Sequence, residues 1–227
     1  MNRTYRTVGG ALMLTALIAG LSGCAAFRTP AERFAGSGGT ELTLAKSSML
    51  AGDVEEARVR LNEIVGDDDS AEAHYYLALI EFGSGRYGEA LQHAEKSIRI
   101  YPTAKAYLVK GSVLERTDKN PKSALNAYEA GLFSELADPE TVAELHRNMA
   151  VVYAREGDWD RALEAYQEYV NYRKAERRRL EDEEYAFLGM LLFRKGDDAG
   201  VANAWSQIRD PVVRDNLERS VGIVRRN

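Results

Sequence analysis

Four segments of this chain can be laid over one another: GDVEEARVRLNEIV (Gly52–Val65), GRYGEALQHAEKSI (Gly85–Ile98), NPKSALNAYEAGL (Asn120–Leu132) and GDWDRALEAYQEYV (Gly157–Val170). Each opens on a turn residue or a proline, reaches a small residue four to five positions later, and continues with apolar residues at helical spacing. Ala57, Ala90, Ala124 and Ala162 fill one slot, 33, 34 and 38 residues apart, and Val201 in GDDAGVANAWSQI follows 39 residues after the last. A unit of this length is a single supersecondary element that cannot bury its apolar face alone, so it must stack on its neighbours.

A second helical pattern precedes each of these segments: ELTLAKSSML, AHYYLALIEF, KAYLVKGSVLE, LHRNMAVVYARE and EYAFLGMLLFRK. Within them the adjacent pairs Leu44-Ala45, Leu77-Ala78, Lys110-Gly111, Met149-Ala150 and Leu188-Gly189 recur seven residues before the inter-helix turn. The small member lets the following helix approach closely, and the alanine slot of that helix receives it. These residues, with Tyr101-Pro102 ending one unit and Tyr153, Ala162 and Tyr166 in another, resemble the tetratricopeptide repeat. The resemblance implies an all-α fold, a right-handed superhelix of about five helix-turn-helix repeats at about residues 40–70, 71–103, 104–139, 140–178 and 179–210. After Asp210-Pro211, residues 211–227 read as an amphipathic helix capping the open apolar end.

The one cysteine, Cys24, follows a basic start with Arg3 and Arg6 and an apolar run, the build of a secretory signal peptide. Leu21-Ser22-Gly23-Cys24 resembles a bacterial lipobox, which implies cleavage after residue 23 and a diacylglycerol on the Cys24 sulfur. Two other readings use the same residues. Val8–Phe27 is uncharged over about the 20 residues that an uncleaved spanning helix needs, although its glycines weaken that reading. A secreted protein would instead carry an incidental reactive thiol. On the lipobox reading, residues 24–39, with Pro30 and the Gly36-Ser37-Gly38-Gly39 run, form a flexible tether. Ala25 follows the cysteine where an inner-membrane retention signal would place aspartate. The expected location is therefore the periplasmic face of the outer membrane, or the outer face of the plasma membrane in a host with only one.

Loss of residues 1–23 would remove two arginines and no acid, taking the net charge from −5 to −7. Such a surface repels polyanions, so nucleic acid is not an expected partner. Neither a metal nor a cofactor is expected, since there is one cysteine and only three histidines, and no P-loop, glycine-rich nucleotide fingerprint or nucleophile motif appears. His74 and His146 fall in equivalent slots of the second and fourth repeats, where packing is the usual role, and His93 lies on a second helix. No enzymatic activity is expected.

Function is then expected from a surface. In the tetratricopeptide superhelix the first helices line a concave face, which here would present Leu42, Met49, Tyr75, Leu79, Phe82, Leu108, Val151, Met190 and Phe193 as an apolar floor. Lys46, Glu72, Lys105, Glu115, Arg116, Arg147, Arg155 and Arg194 would form charged, mainly basic rims. Such a groove suits a helical or extended peptide with some acidic residues. Arg177, Arg178 and Arg179 precede Glu181, Asp182 and Glu183 by four residues each and would pair with them if the helix continued. The same arginines form an alternative docking patch for an acidic partner or lipid phosphates. The whole is similar to lipid-anchored tetratricopeptide adaptors that assist pilus secretin assembly or scaffold peptidoglycan hydrolases. That resemblance implies envelope proteins or peptides as partners, with a permanent structural subunit of an outer-membrane protein assembly complex as the alternative.

Overall fold

The computed structural model describes residues 39–67, 70–134 and 137–220. Cys24, the signal segment and the tether up to residue 38 lie outside the described residues, as do residues 221–227 of the expected cap.

The described chain is a series of helical hairpins: α1 (Gly39–Ala51) with α2 (Val54–Asp67), α3 (Ala71–Gly83) with α4 (Tyr87–Ile100), α5 (Ala104–Thr117) with α6 (Pro121–Leu132), α7 (Pro139–Arg155) with α8 (Trp159–Ala175), and α9 (Asp182–Arg194) with α10 (Asp198–Gln207), followed by α11 (Pro211–Ser220). Each hairpin packs on the next, and first helices also touch first helices, α3 on α5 and α5 on α7. No strand occurs among the described residues. This is the expected all-α superhelical array.

The turns explain the register. Four hairpins close on glycine in the left-handed region, Gly52 (φ 86°), Gly85 (φ 75°), Gly157 (φ 77°) and Gly196 (φ 74°). In each case the next residue returns a backbone hydrogen bond across the end of the helix, as from Arg86 N to Glu81 O (2.9 Å) and from Asp158 N to Tyr153 O (2.9 Å). The third hairpin has no such glycine. Asp118 accepts from Asn120 N (2.9 Å), Asn120 accepts from Lys122 N (3.1 Å), and Pro121 starts α6, which accommodates the extra residue of that repeat. Ser70, Thr103, Asp138, Asp158 and Asp197 cap their helices through side-chain oxygens.

The small-residue slots are the places where hairpins close. Ala45, Ala57, Ala78, Ala90, Ala150 and Ala162 are fully buried. Gly111 faces the Tyr128 ring so closely that a Cβ there would lie 2.2 Å from Tyr128 Cε1. Gly189 faces Leu217 of α11 (3.1 Å from a built Cβ), so the slot that elsewhere receives a second helix here also admits the final helix. Leu217 and Ile208 are buried against Tyr185, Ala186, Met190, Phe193 and Val213. Helix α11 therefore covers the last first-helix of the array.

One expectation fails. The helix does not run on through the arginines to pair them with acids four residues later. It stops at Ala175, Arg177 turns left-handed (φ 55°), and Arg178 N bonds back to Arg173 O (2.8 Å). Beyond the turn Leu180 is buried in the main core cluster. Arg178 reaches back to Glu140 (3.4 Å), while Arg179 pairs with Asp182 (3.0 Å) and donates to the carbonyl of Gln207.

Candidate functional site

The expected groove residues lie on the first helices: Tyr75, Leu79 and Phe82 on α3, Leu108 and Arg116 on α5, Arg147, Val151 and Arg155 on α7, Met190 and Phe193 on α9. All are partly buried except Arg116 and Arg155, which are exposed. Tyr75, Leu79 and Phe82 rest on the cluster of Ala78, Ala90, Ala94, Val109 and Val113, with Leu108 on the neighbouring core. Burial pushes the Tyr75 hydroxyl up to about 12, with Tyr76 and Asp138 adding to the effect, so it remains a neutral, amphipathic group. Met190 and Phe193 belong to a separate cluster with Ile208 and Leu217. Between α9 and α11, Phe187, Met190, Val212 and Val213 line a cavity of about 590 Å³ bordered by Glu183 and Asp210.

Two members of the expected floor and rims are placed differently. Leu42 is 3% exposed and packs between the first hairpin and α3, in one cluster with Leu61 and Leu77. Glu72 is buried and forms an ion pair with Lys46, whose ammonium also lies 5.3 Å from the Tyr76 ring.

The rims are not free positive charge. Lys105 pairs with Asp138 (3.5 Å), Arg155 with Glu115 (2.8 Å), and Arg147 with Glu144 (3.3 Å) and Glu184 (4.0 Å). Arg194 stacks over Trp159 at 4.9 Å. Arg116 instead lies 6.0 Å from the Phe82 ring, and Tyr128 donates to Glu115 (3.0 Å). Phe82, Arg116, Glu115 and Arg155 thus form one continuous strip across α3, α5 and α7. The groove has an apolar stretch at α3–α5, a charge-compensated middle at α7 and a second apolar stretch at α9–α11.

Sequence reasoning missed the hub of that middle. Glu184 takes a hydrogen bond from Tyr169, accepts from Glu181 N (2.8 Å) in a capping box, and stands 3.7 Å from Arg173. Tyr166 donates to the Glu184 carbonyl (3.0 Å). Tyr76 and Phe187 were also missed, although each sits at helical spacing from a residue that was chosen.

Two of the three histidines meet between α3 and α4. His74 Nδ1 and His93 Nδ1 are 3.0 Å apart, so one ring donates to the other, and burial lowers the His93 pKa. Burial likewise lowers that of His146, whose Nδ1 has no partner. Among the described residues no group of three or more histidine, cysteine and acidic side chains could hold a metal ion. No helix among them is long and apolar enough to cross a membrane.

Residues 42–105 and 108–183 match the family model of the tetratricopeptide repeat, more than half of the 227 residues. The chain belongs to the tetratricopeptide-repeat family. No curated protein matches it in sequence. Solved structures share its tetratricopeptide fold at low identity. MamA (residues 41 to the end) from Desulfovibrio magneticus RS-1 is 22% identical, with a TM-score of 0.59, over 82% of this chain and 98% of that one. YrrB, described as a tetratricopeptide protein with an unusual peptide-binding site, is 17% identical, with a TM-score of 0.58, over 79% and 90%. PilF of Pseudomonas aeruginosa is 16% identical, with a TM-score of 0.54, over 85% and 99%. The hairpin α9/α10 lies almost wholly beyond the family match and packs through α9 against α8 and α11.

Proposed function

We propose that this chain is a membrane-anchored tetratricopeptide scaffold that holds a peptide segment of an envelope protein in its concave groove. In this role it assists assembly of an envelope machine of the pilus-secretin or peptidoglycan-hydrolase type. The observation that carries the binding reading is the strip of partly exposed aromatic and aliphatic side chains on α3 and α5, Tyr75, Leu79, Phe82 and Leu108, presented by a rigid packed array. Rigid aromatic side chains on such a support are the usual centres of binding energy. Since the rims are internally paired, affinity is expected from the apolar floor more than from net charge. The structural likeness to YrrB supports the fold that presents such a groove. The envelope location rests on the lipobox resemblance around Cys24.

Two measurements test the two parts. Tyr75→Ala with Phe82→Ala should weaken capture of the partner at least about tenfold, roughly 1.4 kcal/mol, while the helical circular dichroism spectrum is retained. The partner is found by crosslinking intact cells, and undiminished binding by the double variant would remove the groove from consideration. A partner that copurifies in fixed stoichiometry without crosslinking would favour the permanent-subunit reading. For the anchor, Cys24→Ser should abolish palmitate incorporation and leave an unprocessed precursor. Equal labelling of both proteins would refute lipidation at Cys24.

A further inference from the structure

The outer side of the array carries a second concavity. Between the second helices α8 and α10, over α9, lies a cavity of about 400 Å³. Leu180, Tyr185, Leu188 and Leu192 form its floor, Arg173, Lys174 and Arg178 one end, and Gln167, Asn203 and Gln207 supply amides around the mouth. Gly200 and Ala204 of α10 line its other side.

The charge is unusual for this protein. A chain of net charge −5 puts Arg173, Lys174, Arg177, Arg178 and Arg179 within seven residues, interrupted by only one acid, Glu176. The nearest acids compensate only two of these cations, Glu184 standing 3.7 Å from Arg173 and Asp182 3.0 Å from Arg179, and both are tied further. Glu184 is held by Tyr169 and the capping box, and Asp182 accepts from Arg209 N (2.9 Å) and Asp210 N (2.6 Å). Lys174 and Arg177 have no ionic partner among the described residues. Arg178 has only Glu140, at 3.4 Å between side chains that are both more than half exposed, a pairing that is easily exchanged. Arg173 keeps its Nε buried without a hydrogen-bond partner.

Arg177 adds an independent sign. Its left-handed backbone (φ 55°) occupies the kind of position that the chain gives to glycine at Gly52, Gly85, Gly157 and Gly196. A side chain at such a position is strained, and strain of this kind collects at functional sites.

We propose that this outer cavity is a second docking site, which takes an acidic peptide segment of a partner protein. Its carboxylates would meet Lys174 and Arg178, with Arg177 next to Arg178 in the chain adding positive charge, and an apolar side chain would enter between Tyr185, Leu188 and Leu192. The amides favour a peptide over a lipid headgroup, because Gln167, Asn203 and Gln207 offer acceptors as well as donors to a polypeptide backbone. The cavity shares no lining residue with the expected groove, although both draw on α9, so the scaffold can hold two partners at once.

The test uses the purified full chain and a fluorescent, acetylated octapeptide of four glutamates and four leucines, followed by fluorescence anisotropy. Its counterpart has glutamine in place of every glutamate. The acidic peptide should bind at least tenfold more tightly than the glutamine peptide, and Lys174→Glu with Arg178→Glu should remove that preference. Arg177→Gly should raise the melting temperature yet weaken the acidic peptide several-fold, a pairing that a purely structural role for Arg177 does not produce. Tyr75→Ala with Phe82→Ala should leave this binding unchanged. Equal binding of the two peptides overturns the proposal, as does a loss of binding that follows the Tyr75 and Phe82 changes instead of the Lys174 and Arg178 changes. Displacement of the bound peptide by phosphatidylglycerol vesicles, with no such displacement by phosphatidylcholine vesicles, would assign the cavity to a lipid surface instead.

Discussion

Replacing Gly111 by alanine is expected to cost about 3 kcal/mol of stability, the upper end of what an inserted methyl group costs in a packed interior. The added Cβ would stand 2.2 Å from Tyr128 Cε1 and 2.8 Å from Cζ, distances at which one side must move. Neither side yields cheaply. The Tyr128 ring is fully buried, and its hydroxyl is fixed by a hydrogen bond to Glu115 (3.0 Å). The backbone of Gly111 belongs to the closest approach of α5 and α6. Gly88, in the first turn of α4, provides the contrast, since a Cβ there meets nothing within 4 Å and alanine should be neutral or slightly stabilising. Urea unfolding of both variants measures the difference. A cycle with Tyr128→Leu identifies its source, because the paired change should cost clearly less than the two single costs added together. Simple additivity would mean that the Gly111 effect does not come from the ring.

Loss of the Glu184 carboxylate is expected to be nearly as damaging, at about 3 kcal/mol for Glu184→Ala. Tyr169 and the Arg173 side chain would then lose an acceptor where water has little access, and breaking a buried ionic contact costs more than the contact contributes. The capping box that starts α9 would open as well. Glu184→Gln keeps one oxygen to accept from Glu181 N, and its amide can donate to the Tyr169 oxygen, so it should cost about 1 kcal/mol, through loss of attraction to Arg173 and Arg147. Thermal and urea denaturation of the pair settle the point. If glutamine proved as harmful as alanine, charge would outweigh hydrogen bonding at this junction, and two harmless substitutions would show that the network is ornamental.

What could be read from the sequence divides along a physical line. The hairpins, their turns and the alanine slots are set by neighbours within one or two repeats. Ala57 and Ala90 had to be small because a helix passes next to them, and the turn glycines had to adopt a conformation that other residues avoid. The end of α8 could not be read in the same way. Its arginine and acid spacing satisfied a helix rule, but Leu180 had a core to enter, and that core exists only once the fifth hairpin is packed. The rims failed for a related reason. Arg155 finds Glu115 forty positions earlier in the chain, and Arg178 finds Glu140 thirty-eight positions earlier, so sequence alone showed the cations without the acids that compensate them. The apolar floor was more legible, because helical spacing alone brings Tyr75, Leu79 and Phe82 to one face. Leu42 departed because it joins the cluster that binds the first hairpin to Ala73, Leu77 and Ile80 of the second, a contact that helical spacing does not show.

The meeting of Gly189 with Leu217 bears on how such a chain changes length over evolutionary time. Each hairpin reads only the hairpins beside it, so a gene duplication that inserted another unit ahead of α9 would present familiar surfaces on both sides. The terminal helix is different, since Leu217 is fitted to a glycine slot and Val213 to the same exposed end. Growth is therefore permitted between internal hairpins and opposed between α9 and α11. Descendants of this gene should differ in the number of internal units while keeping α9 and α11 together as an inherited pair.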